Sequence, residues 1–142
     1  MTDDIALRLK EALKLQLHPT IYYLSSDKRL SKLGDAIINY IASVSETIRG
    51  GIPMGLRVDN RTLTNAVKAS GLRDRLSHRR DRHMLGDAAE ALIAYSFIQG
   101  VITIEECVDT MLRSESIQGG MTRILGLAIE RVGVTKCDLH RN

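Results

Sequence analysis

The sequence predicts an all-α domain, and three observations carry that prediction. Apolar residues recur at three- and four-residue spacing through most of the 142 residues, and no run alternates like a half-buried strand. Glycines, prolines and capping residues fall between these periodic segments. The tetrapeptide Leu-Gly-Asp-Ala occurs twice, at 33–36 and 85–88, and each copy opens a strongly apolar stretch. From Leu33 to Ser45 the charged residue is Asp35, and from Met84 to Ile104 the charged residues are Asp87 and Glu90. A helix that is apolar nearly all round is buried. A carboxylate inside it is costly unless it is paired or holds a metal.

The elements follow in order. A first helix is expected from about Asp4 to Leu17, with Ile5, Leu9, Ala12 and Leu13 on one face. His18-Pro19 ends it, because the residue before proline avoids the helical region. A second spans roughly Lys28 to Ile48, and Arg49-Gly-Gly-Ile-Pro-Met-Gly55 reads as a loop. With no strand before it and no Gly-Lys-Ser/Thr ending, this is no nucleotide phosphate loop. Asn60 is a natural N-cap for a helix to Ser70, closed by Gly71. After an arginine-dense stretch, another helix runs to Gln99 with Gly100 as its stop. Thr103-Ile-Glu-Glu106 fits a capping box opening a helix to about Arg113. A last helix, roughly Met121 to Val132, follows Gly119-Gly120 and gives way to a polar tail. The organisation is one domain over residues 1–142, a size that supports a core without staples.

The formal charge of +3 suits a nucleic-acid partner without demanding one. Cys107 and Cys137 stand far apart, so neither a disulfide framework nor a zinc knuckle is indicated, and Cys137 with His140 reads as part of the polar tail. The start, with Asp3 and Asp4, does not look like a signal peptide. No apolar run reaches the ~18 residues of a membrane span. The expectation is a cytoplasmic protein with no membrane partner.

Asp87 and Glu90, three residues apart, point to one side of a helix, roughly 60° apart around its axis. If the two helices cross at Gly34 and Gly86, Asp35 joins them and three carboxylates converge. Such a set suits magnesium, which binds a few carboxylates and keeps positions for substrate oxygens. The same spacing also fits a capping box with Asp87 as N-cap and Glu90 at the third helical position. Just ahead stand Arg73, Arg75, Arg79, Arg80 and Arg82 against Asp74 and Asp81, an excess equal to that of the whole chain. Arginine suits bidentate contact with phosphate, so this stretch is a candidate nucleic-acid rim. These arginines could equally pair with Asp74, Asp81 and the core acids.

Lys28-Arg-Leu-Ser-Lys-Leu-Gly-Asp-Ala36 resembles the ribonuclease III signature, commonly written E-R-L-E-F-L-G-D-A. Gly86-Asp-Ala-Ala-Glu-Ala-Leu-Ile93 resembles that family's second motif, A-D-x-x-E-A-L-I-G. Between them, Arg57 to Val67 and Ser70-Gly71-Leu72 resemble the corresponding helix of short archaeal members. Agreement runs from about Arg29 to Glu106, in order and at matching separation. The resemblance implies a ribonuclease III-like endonuclease domain, a helical bundle and homodimer that cuts double-stranded RNA with Mg2+, or Mn2+ in its place. It implies metal-site and catalytic roles for Asp35, Asp87 and Glu90. Lys28 and Ser31 stand where the signature carries acids, as similar losses do in the short mini-ribonuclease III branch. In length, too, the chain is similar to that branch, with no room for a separate double-stranded-RNA-binding domain. RNA affinity would then rest on the dimer groove and the arginines, reading duplex shape more than sequence.

Two other functions stay open. Lys28 and Ser31 motivate an RNA-binding module with a degenerate active site. A helix-turn-helix over Asn60 to Arg80 could bind DNA, although Gly71 follows Ala66 one residue too late for the usual turn.

Overall fold

The computed structural model describes residues 4–15, 23–24, 26–76 and 82–132. Six α-helices and a 3-10 turn make up these residues, with no strand among them. They are α1 (Ile5–Leu13), α2 (Lys28–Gly50), α3 (Asn60–Ser70), the 3-10 turn Leu72–Arg75, α4 (Arg82–Ile98), α5 (Ile104–Leu112) and α6 (Ile117–Val132).

The core is built around α4. Ala88, Ala89, Ala91, Leu92, Ile93, Ala94 and Ile98 are all buried, so this helix hides nearly every side and carries no solvent stripe. It packs most heavily on α2, then on α3, α6 and α1, while α5 closes against α2 and α6. Leu30, Ile38 and Ile41 of α2, Leu63 of α3, Met111 of α5 and Met121 and Ile124 of α6 complete the interior. Each large side chain of this kind contributes about 1.5–3 kcal/mol on burial.

The caps explain where elements begin and end, and they move several expected boundaries. The first helix stops at Leu13 because Lys14 turns left-handed (φ 51°) with its N–H on the Lys10 carbonyl. Asp27 caps α2, accepting from the Arg29 and Leu30 amides. At the other end α2 continues through Arg49 and Gly50 until Gly51, at φ 73°, donates to the Thr47 carbonyl. The cap of α3 is Asp59, which accepts from the Thr62 amide at 2.7 Å, and Asn60 is the first helical residue. Gly71, at φ 89°, closes that helix as expected. Thr103 caps α5 by accepting from the Glu106 amide at 3.1 Å. The reciprocal half of the box is diverted, because the Glu106 carboxylate accepts from Arg131 at 2.6 Å.

Gly119 and Gly120 lie inside α6 rather than before it. Ser116 accepts from the Gly119 amide at 2.9 Å, the bond an N-cap makes. A Cβ at Gly120 would come within 3.2 Å of the Met111 Cα, so this glycine admits α5. Cys107 is buried in the same region, and burial pushes its thiol up to about 12. Cys137 and His140 lie outside the described residues. No helix among the described residues is long and apolar enough to cross a membrane.

Candidate active site

α2 meets the backbone of α4 at Gly34. A Cβ there would overlap the Glu90 carbonyl and lie within 2.8 Å of the Glu90 Cα, so only glycine lets the backbones meet. Gly86 is not the other half of this crossing. It faces the side chain of Asn60, and so admits the start of α3. The two copies of Leu-Gly-Asp-Ala are thus docking points for two different neighbours of α4.

The Gly34 contact brings the acids together. Glu90 hydrogen-bonds to Asp35 across the two helices, and Asp87 lies near enough to repel its charge. Burial, the Asp35 bond and the repulsion of Asp35 and Asp87 push the Glu90 carboxyl up to about 8, opposed by the Arg57 guanidinium. The Glu90 carboxyl therefore holds its proton more tightly than an exposed one does. The capping-box alternative does not hold, because α4 begins at Arg82 and Asp87 lies within the helix.

Arg57 reaches the acids because the loop after α2 is pinned along that helix. Thr47 accepts from the Met54 amide at 2.9 Å, Ser43 from the Leu56 amide at 2.7 Å and Asn39 from the Val58 amide at 2.8 Å. The other end of the Asn39 amide donates to Asp35 at 3.4 Å. Asp35, Asn39, Ser43 and Thr47 are spaced by four, so they form one polar stripe on α2. The loop therefore returns along the helix toward the acids rather than swinging into solvent.

The all-helical order of the elements agrees with one comparison. The family model described as Ribonuclease III matches residues 28–123, from the first residue of α2 into α6. The chain belongs to the ribonuclease III family. No curated protein matches the chain significantly.

Within this ribonuclease III domain the two departures from the signature occupy the edge of the acid cluster. Lys28 donates from Nζ to Asp87 Oδ2 at 2.7 Å. Ser31 is buried, and its hydroxyl donates to the Lys28 carbonyl at 3.2 Å. The three acids offer oxygen donors, with Lys28, Asn39 and Arg57 beside them, and a carboxyl group kept protonated by its neighbours is one that a hard divalent cation would relieve. In that chemical sense Asp35, Asp87 and Glu90 fit such an ion. Among the described residues no three His, Cys, Asp or Glu side chains already stand spaced to grip one.

The basic stretch is only partly described. Arg73 and Arg75 belong to the 3-10 turn, which packs on α3 and α6 beyond the end of α3 opposite Asn60. The 11-residue length of α3 separates its ends by about 16 Å. Arg79 and Arg80 lie outside the described residues, and Arg82 opens α4 with its side chain outside them as well. Leu72–Arg75 is a single 3-10 turn, too short for the recognition helix a helix-turn-helix would need there. Arg57 and Asn39 are site neighbours that sequence reasoning did not single out. The four-residue spacing of Asn39, Ser43 and Thr47 is the signal that could have found them.

Proposed function

We propose that the chain is an endoribonuclease that hydrolyses phosphodiester bonds of double-stranded RNA, acting in RNA processing in the cytoplasm as a homodimer. The observation that carries this reading is the meeting of Glu90 with Asp35 and Asp87 where α2 crosses α4. These three side chains would hold Mg2+, or Mn2+ in its place. The ion, when bound, would supply a nucleophile at neutral pH and charge neutralisation at the phosphoryl group. Around it Asn39 orients Asp35, and Arg57 offers a cation to backbone phosphate. Arg73, Arg75, Arg79, Arg80 and Arg82 would extend that phosphate contact along the duplex. One acid cluster cuts one strand, so a double-strand cut calls for a two-fold dimer. The exposed apolar side chains of Tyr40, Ile48, Ile52 and Met54 offer surface for one.

The test is cleavage of a duplex RNA with Mg2+ or Mn2+ by wild type and Glu90→Gln. Wild type is expected to release fragments with 5′-phosphates, and the variant to lose at least about 100-fold in rate. Equal rates would remove Glu90 from the chemistry. A second reading, an RNA-binding ribonuclease III domain that does not cut, is favoured by Lys28 on Asp87 and by Ser31 in place of an acid. It predicts duplex binding by both proteins and cleavage by neither.

A further inference from the structure

The connection from α2 to α3 is fixed at alternate residues, and Arg57 stands between two of the fixed points. On one side the Ser43 hydroxyl accepts from the Leu56 amide at 2.7 Å and donates to the Leu56 carbonyl at 3.4 Å. On the other, Asn39 Oδ1 accepts from the Val58 amide at 2.8 Å, and Asp59 then caps α3. The backbone at Arg57 is thus ordered before any ligand arrives, while the residue itself stays exposed. Asn39 is half-buried and two-ended, since its Nδ2 donates to Asp35 at 3.4 Å. One side chain therefore ties the loop to the acids. Lys28, Arg29, Arg49, Arg113 and Arg131 each rest on a carboxylate. Arg57 has no such partner among the described residues and meets the acids through their charge. The arginines of the 3-10 turn follow the other end of α3, about 16 Å along that helix, and cannot replace it there.

We infer that Asn39 is a positioning residue for Arg57, holding the loop so that the guanidinium meets an RNA phosphate beside the acids. This rests on the duplex-RNA reading above and adds to it the reason an exposed loop cation keeps a fixed place. Asn39 carries no charge and acts through the Val58 amide. A loop released from it would have to be ordered again on binding, and that cost weakens the phosphate contact while the guanidinium is still present. The contact is ionic, so its loss also appears in the salt dependence of binding.

The experiment is binding of a duplex RNA by the full chain over a range of salt, in EDTA so that no cleavage intervenes, with circular dichroism to confirm folding. Arg57→Ala should weaken binding on the order of tenfold at low salt and flatten the slope of log affinity against log salt by about one. Asn39→Ala should weaken binding several-fold and flatten the slope in the same direction, although it removes no charge. Placed on Arg57→Ala, it should cost nothing more. Ser43→Ala frees the Leu56 amide on the other side of Arg57 and should give the same pattern with a smaller loss. It carries the test if Asn39→Ala does not fold. A wild-type slope in the folded Asn39 or Ser43 variant would overturn the inference. So would a full Asn39→Ala loss on the Arg57→Ala background, which would place the effect at Asp35 instead. Wild-type binding by Arg57→Ala would remove the phosphate contact and leave the duplex-RNA reading standing. Folded wild type that binds no duplex would overturn both.

Discussion

Gly34 and Gly86 hold the same place in two copies of one tetrapeptide, yet a methyl group added at each would meet very different neighbours. At Gly34 it would meet the backbone of Glu90, and at Gly86 the far end of the Asn60 side chain. Backbone in a packed helix cannot give way, whereas an amide side chain at a helix start can turn aside. The first glycine therefore sets the distance between the two acid-bearing helices. The second only makes room for a neighbour. Identical local sequence thus serves one contact that is rigid and one that is adjustable.

Alanine at Gly34 should break this comparison most sharply. The added methyl group forces α2 away from α4 and should cost about 3 kcal/mol, at the upper end for an overpacked core, measured as a lower urea midpoint. It should also part Asp35 from Glu90, so any cleavage activity should fall further than the stability loss accounts for. A next test separates the acids from the packing. Folding Glu90 raises its pKa from the ordinary 4.5 to about 8, so between these values the native state holds the proton more firmly than the unfolded chain does. Wild type should therefore lose stability as pH climbs from about 4.5 to about 8, relative to Glu90→Gln, which has no proton to lose. In EDTA, the urea midpoints of the two should keep a constant offset below pH 4.5 and separate progressively up to pH 8 in favour of the variant. Parallel curves across that window would mean that neither burial nor Asp35 and Asp87 hold the proton on Glu90. The smallest effect belongs to Gly86→Ala, expected within about 1 kcal/mol of wild type, because helix propensity gained offsets the displaced Asn60. Adding Asn60→Ala should recover what is lost. A cost at Gly86 equal to that at Gly34 would erase the distinction between the two contacts.

Much of this arrangement is legible in the residues. The apolar runs around Asp35, Asp87 and Glu90 mark α2 and α4 as the buried pair, and their acids mark where chemistry would sit. The glycine pairing is harder to read, since a glycine announces a close approach without naming what approaches. Asn60 makes the point: as a good capping residue it looks like the start of α3, while Asp59 takes the cap and Asn60 turns toward Gly86. Gly119 and Gly120 mislead for a related reason, because a Ser116 cap and the nearby Met111 keep them helical where propensity alone would end the helix. Lys28 against Asp87 is a contact between residues 59 apart in the chain, and no local pattern encodes it.

The stripe of Asn39, Ser43 and Thr47 has a consequence for what this chain can tolerate. Four helical residues advance about 6 Å, and two residues of extended chain advance about 6.6 Å. Helix and loop therefore mesh like a rack and pinion, with Met54, Leu56 and Val58 as successive teeth. The teeth are backbone amides and so do not depend on which side chains they carry, but a change of one residue between Met54 and Val58 would turn Arg57 from the acids to the opposite side. A segment that looks, by its glycines and proline, like the most permissive part of the molecule is permissive in composition and strict in count.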